Sequence, residues 1–261
     1  MIDLPNSELE LSDSEMHLYS RQILLEGWDI EAQERLKLAN VLIVGAGGIG
    51  CTSAELLARA GVGKLTIIDP DTIEVSNLQR QIAFTPQDLG QYKAEVLAKR
   101  LYQINPYIQI DYLTERLDDT NIDKLLQQQD LVLDGCDNFS TRYLVNAASK
   151  KLSVPLISAS AIGFQGQLLM VDADSACYEC LFPKEQHDNE GLRCAESGVL
   201  ATTPVMIASL QAHHTLLFLG LNLSPLKSKL LLWDGLTLKQ RILHFEKDTN
   251  CPICQASLSV N

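Results

Sequence analysis

The ten residues VLIVGAGGIG, positions 41 to 50, constrain this chain more than any other stretch. Val41 to Val44 are apolar without interruption, as a strand covered on both faces needs, and CTSAELLARAGVG after the glycines has helical periodicity. Between them Gly45, Gly47 and Gly50 fit G-x-G-x-x-G. Missing Cβ atoms at those positions permit a tight turn and let backbone N–H groups and a helix N-terminus approach an anion. The next apolar run, KLTIIDPD, reaches Asp69 nineteen positions after Gly50, where a carboxylate meets ribose hydroxyls. NAD and ATP both carry a ribose, so these residues leave the choice between redox dinucleotide and triphosphate open.

Strand and helix signals then alternate. SDSE at 12 to 15 reads as a capping box before MHLYSRQILL, and IEAQERLKLA is a second helical stretch leading into the first strand. YKAEVLAKRLYQIN, NIDKLLQQQ and TRYLVNAASKK read as helices between the strands IQIDYL, DLVLDG and VPLISAS. This order predicts an α/β fold with a doubly wound, parallel, Rossmann-like sheet over the first 160 residues. GFQGQLLMVD, SKLLLWDG and KQRILHFE then predict antiparallel strands that continue it, with TTPVMIASLQAHHTLLFLGL as one long apolar helix among them. The expected division is an N-terminal helical arm (1–38), a nucleotide-binding region (39–160) and an antiparallel region (161–261). A polar, turn-rich segment at 183–198 reads as a mobile loop.

Composition narrows the function. With 261 residues, 46% of them apolar and 21% charged, the chain can bury one substantial core as an ordinary globular protein. A net charge of -12 argues against a broad nucleic-acid or anionic-membrane surface. No apolar run of membrane-spanning length is expected, and the acidic start MIDLPNSELELSDSEM resembles neither a signal nor a transit peptide, so the expected compartment is the cytoplasm. Seven cysteines there point to metal or reactive thiols rather than disulfides. CYEC supplies Cys177 and Cys180, and CPIC supplies Cys251 and Cys254. Brought together, two C-x-x-C pairs make a closed four-sulfur zinc site that tethers the C-terminal tail and leaves no position for water. Cys51 and Cys136 are expected as small buried hydrophobes, whereas Cys194 lies in the polar loop, where an exposed thiol is able to react.

The stretch DPDTIEVSNLQRQ places Asp71, Asn77, Arg80 and Gln81 at the C-terminal edge of the sheet beside the glycine loop. Arg80 and Lys93 suit β- and γ-phosphates better than a nicotinamide pocket, and Asp137 of DGCDN is placed to hold Mg2+. No G-x-x-x-x-G-K-[ST] occurs, which excludes a P-loop enzyme. His17, His187, His213, His214 and His244 have no ligand spacing, and Phe164 with the other aromatics is assigned to the core.

Taken together, YSRQILL, GAGGIG, SNLQRQ, DNFSTR, GFQGQL, the cysteine pairs and GVLATTPVMIASLQA resemble the ThiF/MoeB/HesA family, bacterial relatives of ubiquitin-activating enzymes. The likeness runs from about residue 12 to 255, nearly the whole chain. It implies adenylylation of a small ubiquitin-like sulfur carrier at its C-terminal Gly-Gly, with ATP and Mg2+, by a homodimer holding one structural zinc per chain. On that resemblance Gly45, Gly47, Gly48, Gly50, Asp69 and Asp71 line the nucleotide. Asn77, Arg80 and Lys93 resemble the phosphate contacts and Asp137 the magnesium ligand, with Ser76, Leu78, Gln79 and Asn138 in the same nucleotide-binding set. Arg21 of YSRQ resembles the arginine that such dimers donate to the partner subunit's triphosphate. Cys194 matches a crossover-loop cysteine able to join covalently to the carrier. Leu18 departs from the pattern, because family members often carry arginine before the tyrosine.

SASAIGFQGQL and CPIC are nearer to the thiamin-pathway type and LSDSEM to the molybdopterin-pathway type, so the expected substrate is the thiamin carrier, with the molybdopterin carrier as alternative. The sequence ends without a rhodanese-like domain, so a separate sulfur donor is expected. A tRNA-modifying relative and an NAD oxidoreductase are the distant alternatives.

Overall fold

A computed structural model of the protein describes residues 10–184 and 198–256. Eight strands form one sheet: β1 (Asn40–Val44), β2 (Lys64–Ile68), β3 (Gln109–Leu113), β4 (Leu131–Asp134), β5 (Leu156–Ile162), β6 (Gln165–Val171), β7 (Lys229–Asp234) and β8 (Lys239–His244). Their order is β3-β2-β1-β4-β5-β6-β7-β8, parallel through β5 and antiparallel from β6 onward. The expected parallel sheet with an antiparallel continuation is what the chain adopts. Strand order reverses between β1 and β4, which opens a crevice at their carboxyl ends. The change of direction at β6 follows from a two-residue turn, Gly163-Phe164, with Gly163 at a left-handed φ of 57°.

Helices cover both faces. On one lie α3 (Asp29–Leu38), α4 (Gly48–Ala60), α5 (Lys93–Ile104) and α9 (Thr202–Leu221), whose apolar residues join Ile43, Leu65 and Ile67 in one core. The other face holds α6 (Ile122–Leu126) and α7 (Phe139–Leu152), packed with Leu42, Val132 and Leu156 around the cysteine pairs and the short helices α8 (Tyr178–Leu181) and α10 (Pro252–Ala256). Each face therefore buries its own cluster, and the strands that separate them are apolar on both sides.

Three details depart from expectation. MHLYSRQILL is not one helix. It breaks at Tyr19 into α1 (Asp13–Leu18), opened by the expected Ser12–Glu15 capping box, and α2 (Ser20–Ile23). The break seats the Tyr19 ring, 4% exposed, against Gly61, where its hydroxyl accepts from Asn105 Nδ2 at 2.8 Å. Phe164 is not core but 43% exposed at its turn, and Tyr92, Tyr102, Tyr107 and Tyr112 are exposed as well. α9 is long and apolar enough to cross a membrane, contrary to the expectation that no such run exists. Its packing gives the physical reason for that composition: Ile207 fills the space above Gly166, Trp28 fills that above Gly220, and Ile207, Ala208 and Ala212 are buried in the first core.

Candidate functional site

The glycine loop lies at the switch point. β1 ends at Val44, and Gly45 turns the chain at φ 92° while its N–H donates to Ile68 O at 2.9 Å. A Cβ on Gly45 would lie 3.4 Å from the backbone of Gly135 and Cys136, and one on Gly50 would lie 1.8 Å from Gly45 O. The loops after β1 and β4 are thus packed backbone against backbone. Helix α4 opens from Gly47 without a side-chain cap, so the N–H groups of its first turn have no capping side chain at the crevice. Pro204, at the start of α9, closes over Gly48, where a Cβ would lie 3.1 Å away.

Polar groups from three other segments converge here. Asp69 is 6% exposed at the end of β2; it accepts from Ala46 N–H at 2.7 Å and Asp71 N–H at 2.8 Å. Burial pushes its carboxyl up from the usual range, opposed by those two amides and by the Lys93 charge. Its first task is therefore to fix the glycine loop. Lys93, 7% exposed at the start of α5, pairs with Asp71 at 2.9 Å, and its backbone N–H donates to Asp71 O. One carboxylate leaves two of its three ammonium protons without a partner among the described residues. Arg80 Nη1 donates to Ser76 O, and the Asn77 carboxamide accepts from Glu74 N–H; Gln79 Nε2 reaches Val199 O at 3.3 Å, while Leu78 is half-buried.

Gln81 lies beside the glycine loop, as its place in DPDTIEVSNLQRQ implies, although the sequence assigns it no ligand role. It is 3% exposed beside Gly47, and its Oε1 is buried without a hydrogen-bond partner among the described residues. An uncapped helix, an orphaned buried amide oxygen and an incompletely paired buried ammonium are the groups a nucleotide phosphate and sugar would satisfy.

Across the crevice, Asp137 is exposed in the loop after β4, and Asn138 caps α7 by accepting from Thr141 N–H at 2.9 Å. That loop rests on residues the sequence reading missed. Asp134, fully buried at the end of β4, accepts from Arg142 Nε (2.9 Å), Ser158 Oγ (2.6 Å) and Cys136 N–H (3.0 Å). Arg142 Nη2 in turn donates to Cys136 O at 2.7 Å. Gln211 of α9 donates to Asp134 O and Ile157 O and accepts from Ser53 of α4, tying β4, β5 and α4 together. The usable signal was a carboxylate ending a buried strand, which requires a cation nearby; Arg142 follows eight residues later.

The four cysteines do come together. Cys177 Sγ lies 3.8 Å from Cys180 Sγ and 3.5 Å from Cys251 Sγ, Cys180 lies 3.5 Å from Cys254, and all four sulfurs fall within 4.8 Å of one another. Zinc–sulfur bonds of about 2.3 Å in a tetrahedron place sulfurs roughly 3.8 Å apart, so the donor set fits that ion. The hydrogen bond from Cys177 holds the Cys180 thiol well below its ordinary range, while the same contact and burial raise Cys177. Cys51 is fully buried as expected, whereas Cys136 is only partly so. Cys194 and His187, with residues 185–197 of the expected loop, lie outside the described residues.

Arg21 is exposed and has no ion pair or hydrogen bond among the described residues. Its neighbours anchor at the far end of α4: Gln22 Nε2 donates to Ala60 O, and Tyr19 covers Gly61. Thirteen helical residues, about 20 Å, separate that end from the glycine loop of the same chain.

Fold and crevice define a nucleotide-binding α/β protein with a cluster of four cysteines able to hold a metal ion. Residues 19–253 match the ThiF family, and the chain belongs to it. It is 41% identical to the molybdopterin-synthase adenylyltransferase of Salmonella typhimurium over 94% of this chain and 98% of that one. Its identity to the sulfur carrier protein ThiS adenylyltransferase of Escherichia coli is 39%, over 95% and 98%. Among solved structures it superposes on E. coli MccB with ATP at a TM-score of 0.81 and 27% identity, covering 96% of this chain and 77% of that one.

Proposed function

We propose that this protein is an adenylyltransferase that activates the C-terminal carboxylate of a ubiquitin-like sulfur carrier with ATP. The observation that carries the reading is the convergence of Lys93, Arg80 and the uncapped α4 N-terminus opposite the exposed Asp137, with no ring pocket for a hydride carrier needed. The glycine loop and α4 amides hold the phosphates, and Lys93 and Arg80 take up charge as pyrophosphate leaves. A carboxylate oxygen of the carrier attacks the α-phosphorus; the new C–O–P bond replaces the bond to pyrophosphate, and no proton moves. Asp137 would hold Mg2+, which supplies charge neutralisation across the phosphates. The four cysteines hold zinc as a structural tether.

The segment that carries Arg21 anchors at the far end of α4, about 20 Å along that helix from its own glycine loop, which supports the reading that Arg21 serves a second copy of the chain in a homodimer. The thiamin-type carrier is the first reading from GFQGQL and CPIC. The molybdopterin-type carrier is the second, favoured by LSDSEM and by the 41% identity to a molybdopterin-synthase adenylyltransferase. ATP–pyrophosphate exchange with Mg2+, with each carrier offered separately and Asp137→Ala as control, tests both. Exchange with one carrier, lost in the variant, supports adenylylation and selects the pathway; no exchange with either, despite folded protein that binds ATP, overturns it.

A further inference from the structure

The metal knuckle and the loop that carries Asp137 are gripped by one face of one helix. On α7, Arg142, Asn146 and Lys150 recur every four residues and are 5%, 0% and 4% exposed, an unusual polar stripe to bury. Each has a defined hold. Lys150 Nζ donates to the carbonyls of Asp172, Ala173 and Ser175, the segment that delivers Cys177. Asn146 Oδ1 accepts from Tyr178 N–H at 2.8 Å, between the two cysteines of CYEC. Arg142 bonds Cys136 O and Asp134, and its guanidinium lies 5.7 Å from the centre of the Tyr178 ring.

Tyr178 is 1% exposed and packs edge-on to Tyr143 and against Phe182, so its ring is fixed. The order of contact is therefore sulfur cluster, Tyr178, Arg142, then the Cys136 peptide, whose N–H and C=O are both clamped immediately before Asp137. An apolar filler would satisfy packing, yet it would leave the buried guanidinium without a partner on that side.

We propose that Tyr178 is a positioning residue for the nucleotide site, bracing Arg142 so that the Asp137 loop is held ready for magnesium, and that the four-cysteine centre acts on the reaction through this contact. The inference rests on the reading of Asp137 as the magnesium ligand. Stiffness is the physical content: α7 is the rigid bar between knuckle and loop, capped at its near end by Asn138 beside Asp137.

The test is a Mg2+ titration of binding of a fluorescent ATP analogue to the full chain, with bound zinc measured by mass spectrometry. Tyr178→Phe keeps the ring and is expected to match the wild type. Tyr178→Leu and the longer, unbranched Tyr178→Met are expected to retain one metal per chain yet need about tenfold more Mg2+ for half-saturation, equivalent to roughly 1.4 kcal/mol. Wild type stripped of zinc and freed of chelator should shift in the same direction. Half-saturation within twofold of wild type in a folded Leu or Met variant, or in folded stripped protein, overturns the proposal. An Asp137→Ala variant with undiminished Mg2+ dependence would overturn the reading of Asp137 itself, which separates the two failures.

Discussion

Two glycines of the same loop should fail in opposite ways when changed to alanine. At Gly47 the backbone is extended (φ -76°, ψ -160°), and a Cβ would meet only Gln81 Nε2, at 3.9 Å. Nothing in the folded chain requires glycine there, and alanine at a helix N-cap costs about 0.5–1 kcal/mol relative to glycine. For a chain of this size that is roughly 1–4 °C in Tm. At Gly50 the same methyl would lie 1.8 Å from Gly45 O, closer than any real contact, so the loop must move. Overpacking of that kind costs roughly 3 kcal/mol or more, about 6–12 °C. Binding reverses the order of interest. A phosphate that approaches the backbone at Gly47 loses a charge-assisted N–H bond of about 1.5–3 kcal/mol when a methyl intervenes, or roughly 10- to 150-fold in Kd. Thermal melts with isothermal titration of ATP separate the two quantities. A Gly47→Ala protein that melts normally and binds ATP within threefold of wild type would refute the phosphate cradle and leave only a packing turn.

On the proposed dimer, Arg21→Ala and Lys93→Ala proteins should each lose pyrophosphate exchange, and mixing them should restore it, because a mixed dimer contains one site with both cations; no recovery would overturn the donation of Arg21 to a second copy. Arg142→Met strands the fully buried Asp134 carboxylate, which costs roughly 3–5 kcal/mol, and adding Asp134→Asn should return part of the lost Tm in a double-mutant cycle. Burial, with the His213 charge beside it, pulls His214 down to about 4 from its ordinary 6.5, and Nδ1 has no partner among the described residues. Protonation therefore favours the unfolded chain, and stability falls as pH drops from about 6.5 towards 4. His214→Gln should lose less Tm between pH 7.5 and 5 than wild type does; equal losses would remove His214 from the acid limb.

Local chemistry was legible and long-range partnership was not. Strand β1, its glycine turn and α4 follow from neighbouring residues alone, and the Ser12–Glu15 box names its own helix start. The cysteine pairs were readable because each knuckle is local, although the pairs lie 74 residues apart. Which charges would be buried together was hidden: Asp134 and Arg142 are a pair only once β4 and α7 are packed, and Gln211 finds Asp134 across 77 residues. The break at Tyr19 was hidden for the same reason, since the ring's place against Gly61 outweighs local helical preference. Phe164 misled because an aromatic in an apolar context reads as core, whereas the two-residue turn turns it outward.

On the proposed reaction every reactant is an anion, and so is the protein, at a net charge of -12. A C-terminal carboxyl ionises near 3.3–3.7, so the nucleophile arrives without its proton and no side chain has to take one. What remains is to bring two anions together, which requires cations held where water cannot screen them. Lys93 meets that requirement at a cost. It is buried at the start of α5, where the helix dipole disfavours a positive charge, and Asp71 offsets that until phosphate arrives. Two of its protons stay free for the ligand, so the ion pair and the phosphate can share one ammonium. The polar groups buried around the crevice, Asp69 on the glycine loop and the Asp134–Arg142 pair under the Asp137 loop, hold backbone groups in place. In a reaction without proton transfer, that is where fixed charge is useful: it sets the geometry of loops whose own amides and carboxylates meet the nucleotide.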